Sequence, residues 1–195
     1  PDAMVNYLVR LGWSHGDQEL FTRQELIEKF SWKNVQSSPA VFNPEKLLWI
    51  NAEYIKASQP SQVAQALVPL LEQAGLHEQV KAVSPEWLAQ LVVLVKERAK
   101  TVVEMVEWVR PYFGESVVLE EEAAKKFLTP AIAPVLDKLL ARFEALPAFS
   151  KQVWEESFKK FVEEEGIKMG QIAQPVRVAL TGRTASPGLF EVMEV

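Results

Sequence analysis

The sequence predicts an all-α fold made of helical bundles, on the evidence of its apolar spacing, its capping signals and its apolar content. Apolar residues recur at steps of three and four along most of the chain, which is the spacing of amphipathic helices. The 195 residues are 48% apolar, enough for one large core or two to three small ones. Valine pairs at 92–93 and 102–103 lie inside windows of helical spacing, so no strand pattern competes.

The first two predicted helices have clear start and stop signals. Apolar residues between Met4 and Leu11 share one helix face, and Gly12 supplies a C-terminal stop. Thr22 and Glu25 have the spacing of a capping box, in which each side chain bonds the other residue's backbone N–H. A second helix is therefore predicted to begin after Thr22.

Prolines and polar residues divide the next part of the chain. Residues 37–39 predict a loop, and Asn43-Pro44 predicts an N-cap followed by proline in the first helical position. Residues 58–61 combine a helix-breaking proline with small polar residues, which indicates a domain boundary. Pro69 interrupts the following helical pattern, so it is expected to kink that helix or end it early.

The middle of the chain repeats the same signals. Ser84-Pro85 opens a strongly amphipathic helix, and Thr101 with Glu104 forms a second capping box. Residues 114–116 predict a turn. The helical pattern then resumes in an acidic segment.

The C-terminal third contains three further helix starts and one stop. The acidic run at residues 120–122 suits the first turn of a helix, because negative charge complements the helix dipole there. Thr129-Pro130 predicts another cap followed by proline, and Ser150 caps the next helix. Gly166 lies where a left-handed C-terminal residue is wanted.

The composition excludes several kinds of site. There is no cysteine, so a disulfide framework, a thiolate metal site and a thiol nucleophile are all excluded. His15 and His77 are far apart in the sequence, and there is neither a glycine-rich phosphate loop nor a nucleophile elbow. We assign no catalytic residue, no metal site and no cofactor to the chain.

Net charge and hydropathy favour a cytoplasmic protein that neither enters a membrane nor binds DNA through its overall charge. The formal charge is −5, whereas proteins that coat nucleic acid are usually strongly basic. No apolar run is long enough to cross a bilayer, and the first residues lack the features of a signal peptide. A local basic patch on the surface is still compatible with this overall charge.

Two adjacent stretches need more than core packing to explain them. Residues 170–177 interrupt an apolar helix with glutamines, a proline and an arginine, and residues 181–190 are polar, basic and free of acidic side chains. Ser186-Pro187 can open a helix whose outward-facing N-terminal amides donate hydrogen bonds to phosphate or base acceptors. Four side chains have the chemistry that binds single-stranded RNA: Arg98, Arg177, Arg183 and Phe190. The alternative, ordinary loop residues between packed helices, also stays open.

Three segments closely resemble bacterial glutamyl-tRNA synthetases. They are MVNYLVRLGWS at residues 4–14, FNPEKLLW at residues 42–49, and residues 170–190, and they occur in the family's order at about its spacing. ALTG at 179–182 and SPGLF at 186–190 are the most specific parts. The resemblance covers nearly the whole chain.

The resemblance implies a parent class I synthetase that activates glutamate with ATP and Mg²⁺ and then esterifies tRNA(Glu). The family's two ATP-binding signatures lie N-terminal to the match, and neither is present here. We therefore expect a chain truncated at both ends, without a cofactor and inactive alone as a ligase. We expect the chain to be a monomer and to bind the tRNA.

The resemblance also implies a domain order and a set of RNA contacts. Residues 1–59 would be a stem-contact helical region, followed by anticodon-binding subdomains at 60–119 and 120–195. Arg98 matches an arginine that contacts the third anticodon base, which suggests an enzyme that discriminates glutamate tRNA from glutamine tRNA. The loop and helix start that enclose the anticodon correspond to Arg177, Arg183, Ser186, Pro187, Leu189 and Phe190.

Two rival interpretations predict different behaviour. A helical protein-interaction module would be acidic and highly charged without binding RNA. A stand-alone enzyme would need a proton-transfer cluster or a metal site, and the sequence offers neither. RNA binding that weakens steeply with salt would separate the synthetase interpretation from the interaction module.

Overall fold

The computed structural model describes residues 1–37, 39–114 and 117–195, and within them the chain is all-α, as predicted. Ser38, Glu115 and Ser116, on which the predicted loop and turn partly fall, lie outside the described residues. The α-helices are α1 (Asp2–Val9), α2 (Arg23–Lys29), α3 (Pro44–Ala57), α4 (Pro60–Gln73), α5 (His77–Ala82), α6 (Pro85–Val95), α7 (Val102–Val109), α8 (Glu121–Phe127), α9 (Ala133–Glu144), α10 (Lys151–Glu164), α11 (Met169–Thr181) and α12 (Leu189–Glu194).

Side-chain caps fix most of the helix starts where the sequence predicts them. The Oγ1 atom of Thr22 accepts from the Glu25 N–H at 3.1 Å, and the Glu25 carboxylate accepts from the Thr22 N–H at 2.7 Å. Four more predicted caps accept a hydrogen bond from the residue three positions later: Asn43, Ser84, Thr101 and Ser150. These starts are local, so neighbouring residues suffice to specify them.

The Glu25 cap gives a pH-dependent contribution to stability. The pKa of Glu25 falls from 4.5 to about 2, chiefly because its carboxylate accepts the Thr22 backbone N–H and then because it bonds Gln18. A lowered acid pKa stabilises the folded state above the unfolded pKa, and this contribution is lost as pH falls. We expect Glu25→Gln to destabilise the chain near neutral pH, with the difference from wild type shrinking between pH 4.5 and about 2. Denaturant unfolding across that range would measure it, and a pH-independent difference would contradict the assignment.

The helix start predicted at Thr129-Pro130 was wrong, and of the two outcomes predicted for Pro69, a kink or an early end, the early end does not occur. Helix α9 begins at Ala133, after a turn closed by the Ile132 N–H donating to the Thr129 carbonyl at 3.0 Å. Pro134 has no N–H to donate to residue 130, so it is tolerated only in the first turn of a helix, and this delays the start. Helix α4 continues past Pro69 to Gln73, because its buried face holds it against α6 and α7.

The middle bundle, α4–α7, has the largest apolar core. Its fully buried side chains lie on three helices that pack against one another: Leu67 and Leu71 on α4, Leu91, Val92 and Val95 on α6, and Met105 and Val109 on α7. Phe113 closes one end of this core, stacking edge-on against Trp87 with ring centroids 5.4 Å apart. The start of α6 is thereby packed against the segment that follows α7.

The C-terminal bundle, α8–α12, has a separate core. Phe158 on α10 is fully buried and packs with Leu139 of α9, Ile172 of α11 and Leu189 of α12. Helix α8 packs on α11. The last helix packs on α10, which positions the loop that precedes it.

The N-terminal unit, α1–α3, is joined by one buried amide. The Nδ2 of Asn6 donates to the Glu19 carbonyl at 2.8 Å, and its Oδ1 accepts from the Phe21 N–H at 2.7 Å and from the Tyr54 hydroxyl at 3.1 Å. Asn6 is fully buried, so these bonds satisfy groups that would otherwise be costly to bury. One residue thus ties α1 to the following loop and to α3.

Candidate functional site

The candidate site is centred on the end of α11 and the loop to α12. Helix α11 ends at Gly182, which has a left-handed φ of 77° and whose N–H donates to the Val178 carbonyl at 2.8 Å. Gly182 lies directly against residues 118–120: a Cβ built on it would stand 2.1 Å from the Val118 carbonyl oxygen. The Glu120 N–H donates to the Gly182 carbonyl at 2.9 Å. The loop therefore starts from a fixed point.

Arg177 fastens this loop to α11. Its Nη1 donates to the carbonyls of Pro187 at 2.7 Å and Ser186 at 3.3 Å, and also to the Ser186 hydroxyl. Partial burial and, to a smaller extent, the charge of Arg98 lower the pKa of Arg177, although arginine stays protonated in proteins. A cation is thus held inside the loop.

Arg98 lies near Arg177 but belongs to the middle bundle. It follows the end of α6, where its N–H donates to the Val95 carbonyl at 2.9 Å, and it is exposed. Its charge contributes to the lowered pKa values of both Arg177 and Glu191. The two arginines come from different bundles, and the charge of one acts on the other across the junction.

The buried and half-buried members of the predicted set anchor the loop in the C-terminal core. Ser186, Pro187 and Leu189 are buried, and Phe190 is half-buried. The Phe190 ring packs edge-on against Phe158, with centroids 5.4 Å apart and planes at 81°. These side chains hold the shape of the loop from beneath.

The start of α12 differs from the sequence-based interpretation. The Glu191 carboxylate lies beside Gly188, where an added Cβ would stand 2.8 Å from Oε2, and it pairs with the Lys151 Nζ at 2.8 Å. The bond to Lys151 is the main reason that the pKa of Glu191 is lowered. Helix α12 begins at Leu189 after an N-cap at Gly188, so the helix start predicted at Ser186-Pro187 came two residues too early. Glu191 stands three residues after the cap, and this spacing is the sequence signal for it.

Arg183 contacts a different group of residues. Its Nη2 lies 3.7 Å from Glu107 Oε2, its Nε lies 3.6 Å from Glu120 Oε1, and its guanidinium carbon lies 5.6 Å from the centre of the Trp108 ring. Glu107 and Trp108 are on α7, so this contact crosses from the C-terminal bundle to the middle bundle. No pattern in the sequence indicated these partners.

The described ranges contain no group of three or more histidine, cysteine or acidic residues arranged to hold a metal. No helix among them is long and apolar enough to span a membrane. The chemistry of the site is that of arginines, backbone amides and carbonyls, which bind anions and base edges.

Comparison with known protein families identifies the chain. Residues 62–195 match the family model described as "Anticodon binding domain". The chain belongs to this anticodon-binding family. Its residues 1–49 match a second model, "tRNA synthetases class I (E and Q), catalytic domain". All of the candidate site residues fall in the anticodon-binding match.

Two relatives of this anticodon-binding chain are both named glutamate–tRNA ligase. The glutamate–tRNA ligases of Geotalea uraniireducens and Syntrophobacter fumaroxidans are 48% and 50% identical to it over 195 residues. Each match covers 100% of this chain and 41% of the relative. The resemblance to glutamyl-tRNA synthetases is thereby confirmed, and the chain spans about two fifths of the length of these relatives.

A solved structure agrees with this family. A glutamate tRNA ligase from Elizabethkingia meningosepticum, crystallised in complex with its amino acid, superposes with a TM-score of 0.86 at 27% sequence identity. The superposition covers 100% of this chain and 38% of that one. The helical architecture of the anticodon-binding chain is therefore shared with a ligase of the same name.

Proposed function

We propose that the chain holds tRNA(Glu) for a glutamate–tRNA ligase, in which a class I catalytic domain uses ATP to attach glutamate to the tRNA. The family match and the names of the relatives support this proposal. The single observation that carries the role of the site is the fixed loop that follows α11, in which the Arg177 Nη1 donates to the Ser186 and Pro187 carbonyls. This arrangement offers positive charge and guanidinium planes to an RNA loop.

Three functional units follow from the proposal. Residues 1–59 contact the stem of the tRNA, and residues 60–119 and 120–195 form two anticodon-binding subdomains. The separate cores of the middle and C-terminal bundles support the division of the last two. Ile55 of α3 packs into the middle core, so the first unit is fixed to the second.

We assign different roles in tRNA recognition to the individual site residues. Arg98 is exposed and free to reach a base edge, so we assign it the third anticodon base. Arg177 is already bonded to the loop and presents a fixed positive charge. The loop surface that encloses the anticodon is shaped by Ser186, Pro187, Leu189 and Phe190.

The contribution of this chain to catalysis is orientation. Holding the anticodon and stem fixes where the distant acceptor end lies, and positioning of this kind lowers the entropic cost of reaction. The donor set in the described residues does not fit an ATP-linked Mg²⁺ site, because three clustered acidic or histidine ligands are lacking there. We derive no chemical step through ATP or Mg²⁺. The proposal places the chain in the cytoplasm, where translation takes place.

Fluorescence anisotropy with glutamate tRNA transcripts tests the proposal. The wild-type chain is expected to prefer C over G at the third anticodon position, and Arg98→Ala should reduce this preference roughly tenfold, the size of one lost bidentate base contact. Binding should also weaken steeply as salt rises.

Lys81→Ala is the matched control, since it also removes one exposed positive charge from the middle bundle. Lys81 precedes α6 and Arg98 follows it, so a helix of roughly 16 Å separates them. The control should keep the preference for C. Equal binding of both transcripts by the wild type would contradict the role of Arg98, and no binding at low salt would favour a protein-interaction module.

A further inference from the structure

We propose that Arg183 is a positioning residue that locks the middle and C-terminal bundles in one relative orientation. This inference rests on the proposed function for its consequence in RNA binding, but the lock itself is a property of the protein alone. Arg183, Glu107, Trp108 and Glu120 together are called the Arg183 clamp.

The clamp has contacts on both sides of the junction between the bundles. Glu120, which precedes α8, pairs with the Arg183 Nε at 3.6 Å, while Glu107 of α7 lies 3.7 Å from the Nη2. The Trp108 ring, 5.6 Å from the guanidinium carbon, offers a face for cation–π contact. The Arg183 side chain is 30% exposed, and contacts within the protein already largely compensate its charge.

A rigid turn connects the clamp to Arg177. The Thr181 hydroxyl donates to the Arg177 carbonyl at 2.8 Å and accepts from the Arg183 N–H at 3.4 Å. The Gly182 carbonyl accepts the Glu120 N–H at 2.9 Å. Any rotation at the clamp therefore moves the last turns of α11, which carry Arg177, relative to α6 and Arg98.

Charge removal distinguishes a clamp from a direct RNA contact. Glu107→Gln/Glu120→Gln leaves Arg183 intact and removes two negative charges. If Arg183 contacted RNA directly, this variant would bind tRNA(Glu) as tightly as wild type or more tightly. The clamp predicts binding roughly threefold to tenfold weaker, with a reduced preference for C at the third anticodon base.

The geometry is measured without RNA by electron–electron double resonance. The chain has no cysteine, so Lys81→Cys/Lys159→Cys places one spin label on each bundle at exposed positions. We expect a narrow distance distribution in this labelled protein and a broader or shifted one when Arg183→Ala or Glu107→Gln/Glu120→Gln is added. The control Glu86→Gln/Glu163→Gln, which also neutralises two exposed acids, should leave the distribution unchanged.

The two readouts separate failure of the clamp from failure of the proposed function. An unchanged distance distribution in both clamp variants would overturn the clamp, as would undiminished tRNA binding by Glu107→Gln/Glu120→Gln. If the wild type bound no tRNA, the proposed function would fail, and the distance measurement would still decide whether Arg183 locks the bundles.

Discussion

Gly182→Ala is expected to lower the free energy of unfolding by about 3 kcal/mol, from a left-handed backbone cost of about 1–2 kcal/mol and an overpacking cost of similar size. The φ of Gly182 is 77°, and an added Cβ would stand 2.1 Å from the Val118 carbonyl oxygen. That oxygen belongs to the backbone, so it cannot move aside as a flexible side chain would. Denaturant unfolding of the purified variant measures the loss.

Gly166→Ala separates the two costs. Gly166 also has a left-handed φ, of 65°, but an added Cβ would meet nothing within 4 Å. This control should lose only the backbone part, about 1 kcal/mol. Equal losses of unfolding free energy at the two glycines would show that the Val118 backbone moves aside at no cost, contrary to the expected result.

Phe158→Ala is expected to destabilise the C-terminal bundle by about 3–5 kcal/mol, because it leaves a large cavity in a small core. The Phe158 side chain is fully buried and packs against Phe143 and Phe190. Loss of the contact with Phe190 also frees the start of α12 and the loop that Arg177 holds. We therefore expect weaker tRNA binding together with a lower unfolding midpoint for this bundle.

Phe149→Ala is the matched control for that cavity. Phe149 is 73% exposed, so its removal should change stability by less than about 0.5 kcal/mol. Hydrogen exchange would locate the effect of Phe158→Ala in α9–α12. A uniform loss of protection that reached α4–α7 equally would show that the two bundles unfold as one, against the separate cores described above.

The helices were largely predictable because their signals are local. Thr22 with Glu25, and Asn43 with Pro44, specify helix starts within four residues, and both starts were confirmed. Helix α5 gave no such signal, since it has six residues and no side-chain cap. The delayed start of α9 depends on Pro134, which acts on the preceding turn and not on the cap residues from which a helix start is predicted.

The candidate site was predictable only in part. The resemblance to glutamyl-tRNA synthetases selected Arg98 and Arg177, and the structure places Arg177 in the loop before α12, while the roles of both residues in binding stay a prediction. The partners of Arg183 could not be predicted, because no periodicity links the end of α11 to an exposed face of α7. Contacts between separately packed bundles depend on their relative orientation, which no local pattern encodes.

Arg98 and Arg177 belong to bundles with separate cores, and this has a consequence for folding as well as for recognition. A site that contains both arginines exists only when both bundles are folded. A ligand bound to that site therefore stabilises the folded state of both bundles at once. Without RNA the bundles are coupled by their own junction alone. The anticodon loop would then act as a third structural element that makes the melting of two units cooperative.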